Sequence, residues 1–154
     1  MLRITLAVLH LLALAIGLGV VVDRGLALRE SPTAGSMRRV FRDDALWGVA
    51  AGLWISTGLW RLLAGMEKAR DYYLANHVFY AKMGLLVLIL ALEAWPMITL
   101  IRWRVARGAG RSPEEVASPL VARRIATISF IQAALVVCMV TAAVMMARGY
   151  GALL

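Results

Sequence analysis

Disulfides cannot staple this chain, because its 154 residues contain a single cysteine, Cys138. Four prolines and thirteen glycines are too few for a low-complexity or loop-dominated protein. Charge is scarce too: Asp, Glu, Lys and Arg make up 17% of residues, against roughly 25% in soluble domains. Phosphate-cradling glycine loops, Cys-x-x-Cys, H-E-x-x-H and a Ser-His-Asp constellation are all missing, which leaves hydrolases and nucleotide enzymes without support. What abounds is apolar. The hydrophobic fraction is 62% and the mean hydropathy +0.77. A small chain leaves much of its area facing solvent, so the solvent here is largely lipid.

The net charge is +8. In a soluble protein that would suggest nucleic acid, but the basic residues lie between long apolar runs, with no basic stripe, finger or RNA-binding signature beside them. No nucleic-acid partner is expected.

The sequence predicts an all-α integral membrane four-helix bundle forming one domain over residues 1–154. Its spans are placed at about 4–22, 45–64, 78–100 and 125–147. Each is near the ~20 residues a helix needs to cross a hydrocarbon core, and none alternates like a membrane strand. The first run is expected to be retained rather than cleaved: it exceeds the ~7–15 residues of a signal-peptide core, and Gly25-Leu26-Ala27 matches a cleavage site poorly. Ser31-Pro32-Thr33-Ala34-Gly35 punctuates the chain after the first helix. Ser112-Pro113-Glu114-Glu115 reads as a capping box with Pro at the first helical position, so a short cytoplasmic helix is expected before the fourth span, which Ser118-Pro119 opens.

Charge sets the orientation. Five Arg lie between the first two spans and six between the last two, against five basic residues on the other side, among them Lys68. This bias puts both long connections in the cytoplasm and the termini outside the cytoplasmic membrane.

Ionisable groups at membrane depth cost at least ~2.5 kcal/mol and need a partner or a task. His10 lies in the first span and His77 opens the third; both spans run inward, so the two share the outer half. That is the arrangement a bis-histidine haem requires. The bland readings are a His10 imidazole bonded to a neighbouring helix and a His77 interfacial among Tyr72, Tyr73 and Tyr80. Lys82 either snorkels to the headgroups or meets a carboxylate. Glu93, near Pro96, is either a structural hydrogen-bonding group or a proton relay. At one depth on antiparallel helices, it is expected to bond Gln132. Gly17 and Ala13 would leave room for a flat ring, Trp54 would cover its edge, and Arg61, Lys82 or Arg70 would hold a propionate. Trp54 and the methionines otherwise read as packing.

The runs Phe41-Arg42-Asp43-Asp44-Ala45-Leu46-Trp47-Gly48, Asp71-Tyr72-Tyr73-Leu74-Ala75-Asn76-His77-Val78-Phe79 and Ala81-Lys82-Met83-Gly84-Leu85 resemble a bacterial family of predicted membrane proteins, the domain of unknown function numbered 2214. His10, His77 and Lys82, with Arg24 at the inner end of the first helix, more loosely resemble the haem-binding membrane protoporphyrinogen oxidases of the HemJ type and CopD-like membrane proteins. The looser resemblance implies haem b between the first and third spans, with His10 and His77 as iron ligands. The associated chemistry would be electron transfer or redox work on a quinone or porphyrinogen. The alternative is a cofactor-free accessory subunit packing through Gly and Ala faces in a larger membrane complex or a homo-oligomer.

Overall fold

A computed structural model describes residues 1–30, 32–65 and 70–151, the side chains of 70 and 71 excepted. Ser31, Lys68 and the Arg70 side chain therefore lie outside the described residues. Among those described, the fold is all-helical: α1 (Leu2–Ala27), α2 (Ala34–Leu63), α3 (Arg70–Leu74), α4 (His77–Gly108), α5 (Pro113–Val116) and α6 (Pro119–Ala147).

The long helices overrun the apolar segments that mark them in the sequence. Backbone hydrogen bonding continues past the apolar run wherever a cap is available. Thr33 caps α2 with a reciprocal box to Ser36, which admits Arg38, Arg39 and Arg42 into its first turns. The Ser112–Glu115 box forms and starts α5 as expected. Ser118 precedes Pro119 at the start of α6 but makes no side-chain cap bond. Pro96 lies inside α4 without ending it. The five-residue α3 has no counterpart in the sequence reading.

Four spans are expected; three helices among the described residues, Leu2–Ala27, His77–Gly108 and Pro119–Ala147, are long and apolar enough to cross a membrane. The helix that falls short is α2. Its first turns carry Arg38, Arg39, Arg42, Asp43 and Asp44, and its apolar part is diluted by Gly48, Gly52, Ser56, Thr57 and Arg61.

Residue pairs across the interfaces define the packing. His10 meets Thr57 and Arg24 meets Asp44, so α1 and α2 are antiparallel neighbours. Glu93 meets Gln132, and Asn76 just before α4 meets Tyr150 just after α6, so α4 and α6 are antiparallel; Arg24 also meets Ser129, which brings α1 against α6. Backbone contact is extensive for α1–α2, α4–α6 and α1–α6 and slight for α2–α4. Two apolar layers fill the interior: one around Ala13, Val21, Trp47, Trp54, Ile89 and Met139, the other around Leu28, Met37, Val40, Leu100, Trp103 and Ile125. Outside, Ile4, Leu11, Val49, Val87 and Val105 are exposed. Such an apolar exterior suits lipid.

Candidate functional site

Between the two apolar layers sits a charged one. Arg24, in the last turn of α1, is 0% exposed. Its Nε donates to Ser129 Oγ at 3.1 Å. Nη1 donates to Asp44 Oδ1 at 3.1 Å and to Glu93 Oε1 at 2.7 Å, while Nη2 donates to Glu93 Oε2 at 2.9 Å and to Gln132 Oε1 at 3.0 Å. A guanidinium has five N–H donors, and all five are used. The Glu93 contact is the bidentate fork that makes such pairs strong.

The partners are satisfied in turn. Gln132 Nε2 donates to Glu93 Oε2 at 2.8 Å, the bond expected from their common depth, and also reaches the Ile89 carbonyl. Ser129 Oγ donates to the Ile125 carbonyl. Arg104 approaches the other Asp44 oxygen at 3.5 Å, so two cations face two anions. Arg24, with every donor engaged, has none left with which to bind a substrate. It does tie α1, α2, α4 and α6 at one level, so Glu93 reads here as a structural hydrogen-bonding group. Read from the sequence, Arg24 is only a loop charge and part of a loose resemblance, and Asp44 and Ser129 go unmarked. Depth matching, which found Glu93–Gln132, would have found them had Asp44 and Ser129 been treated as membrane-depth residues.

A second, more exposed cluster lies nearby. Arg39 pairs with Asp23 and with Glu30, Arg42 with Asp23 and Asp43. Asp43 is buried, but the pairs that Asp23 and Glu30 make are exposed, and such pairs contribute little individually.

The expected cofactor residues are distributed differently. At 1.5 Å per residue, His10 and His77 lie about 21 and 24 Å along their helices from the Arg24–Glu93 pair, so their heights agree. Their surroundings do not. The His10 ring sits between α1 and α2, where Nε2 receives the Trp54 Nε1–H at 3.0 Å and Nδ1 lies 3.0 Å from Thr57 Oγ1. Indole N–H can only donate. Nε2 therefore carries the lone pair, and the neutral ring donates from Nδ1 to Thr57, whose hydroxyl passes on to the Leu53 carbonyl. Gly58 makes the space: a Cβ there would lie 3.0 Å from His10 Cε1.

His77 is exposed at the start of α4, and its backbone N–H bonds the Gly151 carbonyl. Beside it the buried Asn76 caps α4 and donates to the Tyr150 carbonyl. Gly17 leaves no room for a ring, since Trp47 lies 3.2 Å from the position of its missing Cβ. Trp54 is buried, and Arg61 and Lys82 are partly buried on α2 and α4. The structure thus brings His10 and Trp54 together and gives Gly17 a packing task. As an iron ligand His10 would have to give up a bond to α2, since both of its ring nitrogens are held there. Among the described residues no three His, Cys, Asp or Glu side chains gather into a metal site.

Replacing His10 by Leu is expected to cost about 1–3 kcal/mol by orphaning the Trp54 N–H and the Thr57 hydroxyl. Thermal unfolding in detergent checks this, with equal losses expected for protein made with or without added haem. A loss confined to haem-fed cells would restore the ligand role.

A family model of predicted membrane proteins, DUF2214, matches residues 2–151. No curated protein matches the chain, and no solved structure does.

Proposed function

We propose that this chain, which belongs to the DUF2214 family of predicted membrane proteins, is a cofactor-free accessory subunit of the bacterial inner membrane. It crosses the bilayer four times as a bundle and packs through α2 against a further membrane helix. The observation that carries this reading is the outward stripe of Gly48, Gly52 and Ser56. All three are exposed, and a Cβ added at either glycine would meet nothing within 4 Å. The inner glycines 17, 25 and 58 are by contrast closed by Trp47, Phe130 and His10. Small residues four apart let helix backbones approach closely in lipid. The same stripe lowers the apolarity of α2, so its outer face gains more from a protein neighbour than from acyl chains.

Topology follows the basic residues. The α1–α2 and α4–α6 connections share one end of the molecule, where Arg104 of α4 donates to the Phe41 carbonyl of α2. That Arg-rich end faces the cytoplasm by the positive-inside bias.

A photoreactive residue at Val49 tests the packing in native membranes. One discrete protein adduct is expected, lost on Gly48→Ile with Gly52→Ile and kept on Gly84→Ile, which changes an equally open glycine on α4. Adducts to lipid alone, or equal loss with Gly84→Ile, would overturn the reading.

A further inference from the structure

A shallow groove of about 510 Å³ runs between α4 and the first turns of α6, lined by Trp95, Leu120, Arg123, Arg124, Thr127 and Ile128. Arg123 and Arg124 are exposed, and neither has a carboxylate partner among the described residues. At the same end Arg24, Arg39, Arg42 and Arg104 are paired with carboxylates, while Arg38, Arg102, Arg107 and Arg111, likewise without a carboxylate partner among the described residues, lie outside the groove. No acidic residue lines the groove. Its polarity runs in one direction. The guanidiniums sit about one turn into α6, near the Arg-rich end; Thr127 and Ile128 follow a turn deeper, and Trp95 faces them from α4.

We propose that this groove holds one anionic phospholipid, with its phosphodiester on Arg123 and Arg124 and its glycerol and upper acyl chain along Thr127, Ile128 and Trp95. Guanidinium matches a phosphate with paired N–H donors and gives up its hydration more readily than an ammonium. Basic pockets between helices on the cytoplasmic side are where acidic headgroups bind. Charge complementarity selects the occupant: a zwitterionic lipid would bring a trimethylammonium or ammonium toward two cations with no carboxylate to receive it. Within the first turns of α6 the positive end of the helix dipole acts in the same sense.

The test is native mass spectrometry of the detergent-purified chain titrated with dioleoyl phosphatidylglycerol and, separately, with dioleoyl phosphatidylcholine. Phosphatidylglycerol should bind in preference, with one adduct dominating. Arg123→Gln with Arg124→Gln should weaken it roughly tenfold to thirtyfold, taking about 1 kcal/mol per basic residue. Arg38→Gln with Arg102→Gln removes two exposed charges from the same end without touching the groove, and should leave binding within about twofold. Trp95→Ala supplies a second variant that keeps all charges, expected to weaken binding several-fold. Equal affinity for the two lipids, or equal loss from the two arginine pairs, would overturn the proposal.

Discussion

Arg24→Met is expected to destabilise the protein by about 3–5 kcal/mol, the cost of breaking a buried ion pair from one side. The guanidinium supplies five hydrogen bonds at full burial. Its removal leaves Glu93 and Asp44 facing each other beside Gln132, with Arg104 at 3.5 Å the nearest remaining cation. Thermal unfolding in a mild detergent should show a midpoint lower by roughly 10 °C. The partner variant locates the cause. Glu93→Gln in the Arg24→Met background discharges the orphaned carboxylate and should recover part of the loss, so the two substitutions should fail additivity by about 1–3 kcal/mol. A single Arg24→Met variant within about 1 kcal/mol of the parent would show that the network holds nothing together.

Gly25→Leu should be the next most damaging change, at about 2–3 kcal/mol. A Cβ at this position would lie 3.0, 3.1 and 3.3 Å from three atoms of the Phe130 ring. The ring has little freedom to retreat, because the Arg29 guanidinium covers it 4.6 Å from its centroid. Adding four carbons there forces α1 away from α6, and overfilling a packed contact costs about 1–3 kcal/mol. The adjacent Arg24–Ser129 bond would be stretched as well. Gly19 provides the comparison on the same helix. Nothing lies within 4 Å of its added Cβ, and Leu is the better helix former by several tenths of a kcal/mol. Gly19→Leu should therefore leave the unfolding midpoint unchanged or raise it slightly. Equal effects at the two glycines would refute the close approach of α1 and α6 at Phe130.

Much of the secondary structure was legible residue by residue. Hydrophobic run length gave the four long helices to within a few residues at the apolar ends, and Ser112 with Glu115 gave the short α5. These features depend on neighbours three or four positions away, which a sequence displays directly. The overrun of α2 to Ala34 was harder to see, because Thr33 and Ser36 form a capping box in which serine takes the usual place of Glu or Gln. Asn76 was passed over for a similar reason. Its neighbour His77 draws the functional reading, while Asn76 caps α4 and donates to the Tyr150 carbonyl in the turn after α6.

The candidate site divides along the same line. Sequence alone determined that this is a helical membrane protein, that its arginines gather at one end, and that Glu93 and Gln132 share a depth, since position along an antiparallel helix is simple counting. Rotation about each helix axis is not counted that way. Only the tertiary structure decided that His10 turns toward Trp54 and Thr57 on α2, that Trp47 fills the face of Gly17, and that Arg24 points inward to Glu93 and Asp44. The physical reason is that a helix fixes its own register with local hydrogen bonds, whereas the face it presents is chosen by contacts 20 to 108 residues distant in the chain.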